Sequence, residues 1–179
     1  MTAVCDEDLL RALMRRYQGG DATAFDELYT QLAPQLRRYL LALARDVARA
    51  DDLLQDTFLQ VHRSRRTYNP DRPVRPWAFA VARHVWLMDQ RTRRRKAPPY
   101  VNLDSTPEFP VPAEVEGLPR EDELRRAIAQ LPTSGSEALL LHHVWGFNFE
   151  EIGKMLGIRA GAARVRASRA MSALRGLLK

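Results

Sequence analysis

The sequence predicts an all-α protein made of two small helical domains joined by a proline-rich extended linker. Apolar residues recur at helical spacings of three and four along most of the 179-residue chain, and no segment alternates as a strand would. Six of the 11 prolines fall within residues 98–119, where no long helix can form. These observations predict a first domain over residues 1–97, a linker over 98–119 and a second domain over 120–179.

Four amphipathic helices are predicted in the first domain from apolar periodicity and from the residues at their ends. The first stops at the Gly19–Gly20 pair, and Asp21 is a favourable N-cap for the second, in which Pro34 predicts a kink. The third covers about residues 48–66 and the fourth about 76–95. The inward residues expected in the first three are Leu9, Leu10, Leu13, Met14 and Tyr17, then Phe25, Leu28, Tyr29, Leu32, Leu36, Tyr39, Leu40 and Leu43, then Leu53, Leu54, Thr57, Phe58 and Val61.

Four further helices are predicted in the second domain, and the last two have the pattern of a helix-turn-helix motif. They cover about residues 120–131, 134–145, 149–156 and 161–178, and Asn148 is the expected cap of the third. Gly157 permits the tight turn after a buried face of Ile152, Met155 and Leu156. The last helix has an inward stripe formed by Ala163, Ala167, Ala170, Leu174 and Leu177. Basic residues beside that stripe are suited to base edges or phosphates in a major groove.

The charge distribution also indicates a nucleic-acid partner. Residues 61–96 hold 11 basic and 2 acidic residues, a net charge of +9 within a chain whose total is +6. Residues 152–179 hold 7 basic residues and no acidic residue, and the stretch between the two blocks is acidic. This pattern is typical of two separate contacts along one nucleic acid, although two solvated helix faces would give it as well.

Other features count against membrane and catalytic functions. No apolar run approaches the roughly 20 residues that a membrane span needs, so no membrane insertion is expected. The acidic N-terminus is unlike a secretory signal, and the single Cys5 cannot form an internal disulfide, which favours a cytoplasmic location. The four histidines are not spaced as converging metal ligands, and no catalytic motif is recognisable. We therefore expect no enzymatic activity, no metal and no cofactor.

Three segments in a fixed order carry a resemblance to a known family. They are DLLQDTF at 52–58, RPWAFAVAR at 75–83 and EEIGKMLG at 150–157. Together they resemble bacterial sigma factors of the extracytoplasmic-function group, over residues 5–178. The resemblance implies a four-helix domain like sigma region 2 and a helix-turn-helix domain like sigma region 4. It implies an alternative sigma factor that binds core RNA polymerase, recognises the minus-thirty-five and minus-ten promoter elements, promotes DNA melting and is controlled by an anti-sigma factor.

The resemblance also implies three sets of site residues. The third helix would bind the clamp coiled coil of the largest polymerase subunit through Asp52, Leu54, Gln55, Asp56 and Phe58. The loop 67–76, which contains the turn-forming residues 68–73, and the fourth helix would bind the minus-ten element. The pocket residues would be Tyr68, Asn69 and Asp71, and the backbone contacts would come from Arg83, His84, Arg91, Arg93, Arg94, Arg95 and Lys96. The last helix would bind the minus-thirty-five element through Arg159, Arg164, Arg166, Ser168 and Arg169. Trp77 and Phe79 are expected in the core more than as stacking surfaces.

Three other functions are open at the level of sequence. A stand-alone helix-turn-helix regulator would bind duplex DNA without polymerase and would dimerise, but the +9 block and the two-domain layout argue against it. A sigma-like decoy that binds an anti-sigma factor has no need of both basic blocks. A DNA-processing enzyme would need a cluster of acidic, histidine or cysteine residues, and no such cluster is recognisable.

Overall fold

Residues 6–96 and 119–178 are described by the computed structural model of this chain, and within them all regular structure is helical. The all-α fold predicted from the sequence is therefore confirmed. The chain divides into two compact units after Arg91. Cys5 and residues 98–118 of the predicted linker lie outside the described residues, whereas Pro119, placed at the end of that linker by prediction, begins a helix.

The first unit contains the helices α1 (Glu7–Gln18), α2 (Ala22–Ala44), α3 (Val47–Ser64) and α4 (Val74–Lys96), whose last five residues follow the division at Arg91. A 3-10 turn (Arg65–Thr67) continues α3 and leads into the loop before α4. Each of the first three helices begins after an aspartate whose carboxylate accepts a backbone N–H of the first turn, namely Asp6, Asp21 and Asp46. The cap predicted at Asp21 is thus confirmed, and α2 runs unbroken through Pro34.

The core of the first unit forms where α1, α3 and α4 pack against α2. Tyr39 of α2 and Phe79 of α4 are both fully buried, with ring centroids 5.1 Å apart. All five inward residues predicted in α3 are buried. Leu9 and Tyr29 were expected inside, but both are exposed. Each lies at the edge of its apolar stripe, and the Tyr29 ring packs on Phe58 in a tilted arrangement, at a centroid distance of 4.5 Å.

The second unit contains α5 (Pro119–Ala129), α6 (Thr133–His143), α7 (Phe149–Leu156) and α8 (Ala160–Leu177). The last helix packs against the other three. Its predicted inward stripe is buried at Ala163, Ala167, Ala170 and Leu174, but Leu177 is exposed because the helix ends there, beside an open groove against α5. In the parts of the chain that the structure describes, no helix is both long and apolar enough to cross a membrane.

Candidate nucleic-acid and protein interfaces

A capping box fixes the start of α7. The Asn148 side chain accepts hydrogen bonds from the backbone N–H groups of Glu150 and Glu151, at 3.0 and 2.9 Å. The Glu151 carboxylate in turn accepts the Asn148 backbone N–H at 2.9 Å. This reciprocal arrangement satisfies backbone donors that would otherwise lack a partner within the helix. It confirms the predicted cap and sets the direction in which α7 enters the motif.

One glycine in the turn between α7 and α8 and one glycine within α7 determine the shape of the motif. Gly157 has a positive φ of 67°, which confirms the predicted role of a glycine at this position. Gly153 was not singled out from the sequence, yet a Cβ there would lie 2.8 Å from the carbonyl oxygen of Ile158. The Ile158 backbone N–H donates to the Gly153 carbonyl at 2.9 Å, so the two segments touch backbone to backbone. The turn therefore places α8 at a short, fixed distance from α7.

Four of the five predicted DNA-contact residues on α8 and its N-cap are exposed: Arg159, Arg164, Ser168 and Arg169. Arg166 is half-buried, on the flank of α8 that faces α6. The Arg164 guanidinium lies 5.4 Å from the ring centroid of Phe149, and that ring stacks on His142. This contact orients Arg164 across the motif.

The outward face of α8 includes one residue that sequence reasoning missed. Val165 is 48% exposed and lies between Arg164 and Arg169 on the side opposite the alanine stripe. An apolar side chain at this position is suited to a thymine methyl group in a major groove. The positive end of the helix dipole and the arginines together favour an anionic ligand at this end of α8.

The predicted polymerase-binding residues of α3 separate into two groups. Asp52, Gln55 and Asp56 are exposed and share one helix face by their spacing of three and four. Leu54 and Phe58, predicted with them, are only 7% and 5% exposed and pack within the unit.

The same face of α3 carries an apolar residue that the prediction omitted. Leu59, one turn further along, is 54% exposed. The sequence did contain an indication of this residue, because Leu59 is an apolar residue that lies off the inward stripe of α3 and next to its exposed polar residues. The face is thus acidic and polar at its start and apolar at Leu59, which suits a mixed contact with a partner helix.

The loop between the 3-10 turn and α4 presents fewer side chains than predicted. Tyr68 is only 5% exposed, because its ring packs on Trp77 at a centroid distance of 4.7 Å and its hydroxyl donates to the Arg72 carbonyl. Burial, together with the nearby Glu7 carboxylate, raises the pKa of Tyr68 to about 12. Its ring is therefore not available for stacking on a base in this structure.

Asn69 and Asp71 are the two predicted pocket residues that are exposed. The Asn69 side chain accepts the Asp71 backbone N–H at 2.9 Å, and the Asn69 carbonyl accepts the Arg72 N–H at 3.0 Å. These two bonds form a tight turn at the surface of the unit. The turn brings one amide and one carboxylate together at the surface.

A stripe along α4 joins several of the predicted backbone-contact residues. His84, Arg91 and Arg95 are exposed at spacings of seven and four, and the exposed Met88 completes the stripe. Arg83 is half-buried on another side of the helix. The remaining predicted cations are exposed at the end of α4 and are Arg93, Arg94 and Lys96.

The aromatic residues of α4 face mostly inward. Phe79 is fully buried, Trp86 is buried and Trp77 is half-buried under Tyr68. Two histidines have structural partners: His62 Nδ1 is 2.5 Å from the Tyr17 hydroxyl, and His142 Nδ1 is 2.9 Å from the Phe147 carbonyl oxygen. Among the residues that the structure describes, no group of three histidine, cysteine or acidic side chains could hold a metal ion.

These observations define a class: a helical protein of two units, one with a helix-turn-helix and one with a basic helix that follows an ordered loop. The family model of Sigma-70 region 2 matches residues 28–96, and that of Sigma-70, region 4, matches residues 121–174. The chain therefore belongs to the sigma-70 family of RNA polymerase sigma factors. Helix α1 lies outside both matched ranges.

Curated relatives place the chain within the extracytoplasmic-function group. It is 37% identical over 169 residues to the RNA polymerase sigma factor CarQ of Myxococcus xanthus, covering 92% of this chain and 95% of CarQ. It is 35% identical to the ECF RNA polymerase sigma factor SigF of Caulobacter vibrioides, covering 94% of this chain and 93% of SigF. The identity with SigM of Mycobacterium tuberculosis strain H37Rv is 30%, over 93% of this chain and 83% of SigM.

Two solved structures share the fold. The sigma factor RpoE of Bartonella quintana, in complex with the anti-sigma factor NepR, has a TM-score of 0.75 at 24% identity and covers 88% of this chain and 98% of its own. CnrH, in complex with the cytosolic domain of CnrY, has a TM-score of 0.69 at 21% identity, covering 96% of this chain and 97% of its own. The family predicted from the sequence is confirmed. The chain is an alternative sigma factor, a transcription initiation factor whose partners are core RNA polymerase and promoter DNA.

Proposed function

We propose that this sigma factor uses three separate surfaces for its three contacts. The polar face of α3 binds the clamp coiled coil of core polymerase, the loop and α4 bind the minus-ten element, and α8 binds the minus-thirty-five element. The region 2-like domain covers residues 1–97, the linker 98–119 and the region 4-like domain 120–179. The protein acts in the cytoplasm, has no catalytic chemistry of its own and needs no metal or cofactor.

The observation that carries this proposal is the outward face of α8. Arg164 and Ser168 lie one turn apart on it, with Val165 beside them, all within the first half of the helix. A helix of this kind places its N-terminal residues against base edges in the major groove. The side chains of Arg159 and Arg169 extend the cationic surface toward the phosphates on either side.

The proposed polymerase contact uses those predicted α3 residues that are exposed. Asp52, Gln55 and Asp56 provide charge and hydrogen bonds, and Leu59 provides an apolar surface on the same face. Buried Leu54 and Phe58 support this face from within rather than touch the partner. Such a combination of an apolar contact with a polar rim is usual in protein interfaces.

Melting requires the capture of bases that have left the stack. Asn69 and Asp71 offer an amide and a carboxylate that can pair with the edge of a flipped base. The stripe of His84, Arg91 and Arg95 runs along α4 where cations would follow a strand backbone. The minus-ten contact therefore combines a small polar turn with a long basic helix.

We further propose that an anti-sigma factor controls this chain. Both structural relatives described above were solved with partners, RpoE with the anti-sigma factor NepR and CnrH with the cytosolic domain of CnrY. Exposed apolar residues on the first unit, such as Leu59, are suited to a regulatory protein that competes with polymerase.

The test is run-off transcription with purified core polymerase on a pool of genomic promoter fragments. The full chain should produce discrete new transcripts. Arg164→Ala should lower their yield by about 5- to 150-fold, the range expected for one lost arginine contact to a base. The matched control is Arg175→Ala, an exposed arginine on the same helix about three turns further on.

A second arm of the same experiment separates polymerase binding from DNA binding. Asp56→Lys should weaken pull-down of core polymerase, whereas Arg164→Ala should leave it unchanged. Absence of core binding by the natural chain would contradict the proposal and favour a stand-alone regulator or a decoy. Equal loss with Arg164→Ala and Arg175→Ala would contradict the assignment of α8 contacts.

A further inference from the structure

The loop that carries Asn69 and Asp71 is anchored at both ends by α1, the helix outside the ranges matched by the family models. The loop follows the 3-10 turn and ends where α4 begins at Val74. Hydrogen bonds within the loop close the tight turn at its tip and join the Tyr68 hydroxyl to the Arg72 carbonyl. Its position relative to the rest of the unit therefore depends on contacts made by other segments.

The first anchor lies at the C-terminal end of α1. The Gln18 side-chain amide donates to two carbonyl oxygens, that of Arg65 at 2.7 Å and that of Tyr68 at 2.8 Å. One side chain thus bridges the 3-10 turn and the first residue of the loop. The neighbouring Tyr17 strengthens this end, since its hydroxyl meets His62 at 2.5 Å and its ring lies under the Arg65 guanidinium.

The second anchor lies at the N-terminal end of α1. The Glu7 carboxylate accepts the backbone N–H groups of Val74 and Arg75, the latter at 3.3 Å, and these are the first two residues of α4. First-turn N–H groups of a helix need a partner from outside the helix. The residue before α4 is Pro73, whose side chain has no oxygen to serve as a cap. Glu7 supplies the cap from a helix 67 positions earlier in the chain.

The segment between the two anchors is also held from inside. Tyr68 packs on Trp77, and its hydroxyl donates to the carbonyl of Arg72 near the other end of the loop. Glu7 and Gln18 are half-buried, and they lie at opposite ends of α1. The side chains of Asn69 and Asp71 remain at the surface of a loop that is fastened on both sides.

We propose that α1 is a positioning element for the minus-ten loop, in which Glu7 and Gln18 hold the two loop ends so that Asn69 and Asp71 meet an unpaired base. The inference rests on the proposed role of that loop. Ordering a loop at the moment of binding lowers affinity, and a loop ordered in advance avoids that loss. Neither Glu7 nor Gln18 touches DNA in this arrangement, and both act through the backbone of the loop.

The test measures holoenzyme binding to a single-stranded oligonucleotide that carries the non-template minus-ten sequence of a promoter found by run-off transcription. Glu7→Ala and Gln18→Ala should each weaken this binding by about tenfold, the size expected for lost charged or bridging hydrogen bonds. Glu7→Gln keeps an acceptor oxygen for one backbone N–H and should recover part of the loss. The matched control is Asp8→Ala, an acidic neighbour in the same turn whose side chain is exposed.

Two further measurements distinguish positioning from general instability. Core polymerase affinity and binding to a duplex that carries only the minus-thirty-five element should stay unchanged in all four variants. If Glu7→Ala fails to fold, Glu7→Gln and Gln18→Ala still decide the matter. Unchanged oligonucleotide binding in those two variants, or an equal loss of core affinity, would overturn the inference.

Variants of the loop itself show which proposal has failed. Asn69→Ala and Asp71→Ala should weaken oligonucleotide binding directly. If these two variants bind normally, the proposed minus-ten role of the loop is wrong, and the inference about α1 falls with it. If they lose binding while Glu7→Gln and Gln18→Ala do not, the loop is the DNA contact but α1 does not position it.

Discussion

The contacts that place α8 are local in sequence, whereas those that place the loop before α4 are distant. In the second unit, Asn148 caps α7 through Glu151, three positions away, and Ile158 contacts the backbone of Gly153, five positions away. In the first unit, Glu7 reaches Val74 across 67 positions and Gln18 reaches Tyr68 across 50. Both sets of contacts, the local and the long-range, hold a segment that we propose to bind DNA.

This difference affects how each segment responds to change. A helix-turn-helix built from neighbouring residues depends on the local backbone, so a substitution outside it has little effect on its shape. A loop held by a distant helix depends on the packing of the whole unit. A substitution in α1 therefore displaces the loop although no residue of the loop is changed. Contacts between distant residues also require closure of a long chain segment, which costs more conformational entropy than a local contact does.

The largest expected effect on stability comes from adding a side chain at Gly153, where α7 closely approaches the backbone of Ile158. Gly153→Ala would place a Cβ 2.8 Å from the Ile158 carbonyl oxygen, and backbone would have to move. We expect a loss of about 1–3 kcal/mol in the free energy of unfolding of the second unit. Hydrogen exchange read by mass spectrometry on peptides from α7 and α8 would measure it.

The control for this substitution is Gly176→Ala. A Cβ at Gly176 meets nothing within 4 Å, and the residue lies inside α8. Alanine is the better helix former, so this variant should be neutral or slightly more protected. Equal loss of protection in both variants would show that the close approach at Gly153 is not the cause. Protection in α1–α4 should not change in either case.

An intermediate effect is expected from a long-range ion pair in the first unit. Arg49 of α3 donates to Asp89 of α4, 40 positions away, with only 15% and 28% of the two side chains exposed. Arg49→Ala should lower the free energy of unfolding by about 1–2 kcal/mol, since charged hydrogen bonds away from solvent contribute that much. Urea unfolding of the full chain, followed by circular dichroism, would measure the change.

The control for this prediction is a second ion pair of the first unit that is more exposed to solvent. Arg37 binds Asp51 at 2.6 Å, but 44% of each side chain is exposed. Arg37→Ala should therefore cost less than about 1 kcal/mol. If Arg37→Ala costs as much as Arg49→Ala, burial does not decide the contribution of these pairs.

The smallest expected effect concerns pH and the cap of α2. Hydrogen bonds from Thr23 and Arg16 hold the pKa of Asp21 at about 2, below its ordinary value of 3.8. Because the folded pKa is lower than the unfolded one, the stabilisation is complete above the ordinary pKa and is lost as pH falls toward 2. The thermal midpoints of the natural chain and of Asp21→Asn should therefore converge from about pH 5 to about pH 2.

The control is a substitution on α2 that removes no ionisable group. Thr30→Ala should keep a constant offset from the natural chain over the same pH range, because the exposed Thr30 side chain does not titrate. If Asp21→Asn also keeps a constant offset, the ionised carboxylate does not stabilise the turn between α1 and α2. The Asp21 side chain is 35% exposed, against 15% for Arg49, so the differences should be smaller than those at Arg49.

Much of the second unit was predictable from the sequence. The Asn148 cap, the Gly157 turn and the buried alanine stripe all follow from residues close together in the chain. The order of three motifs was also enough to identify the family. Gly153 was missed because its importance comes from the close approach of Ile158, which no composition rule indicates.

Less of the first unit's candidate site was predictable. Leu54, Phe58 and Tyr68 were predicted in contacts, yet all three are buried. Leu54 and Phe58 lie on the apolar stripe of α3, whose burial the periodicity predicts, so they could not also be contact residues. Tyr68 lies in a loop, where periodicity predicts no burial. Leu59 was overlooked because it lies off the apolar stripe, beside polar residues.

The sequence by itself determined the helices, the caps at Asp21 and Asn148, the two basic blocks and the family, because these depend on residue types and on contacts within about one or two helical turns. Only the tertiary structure decided which predicted residues are exposed and what holds the loop before α4. Glu7 and Gln18 illustrate the reason. Nothing near them in the chain indicates a role, since their partners lie 47 to 68 positions away and meet them only when α1 packs into the unit.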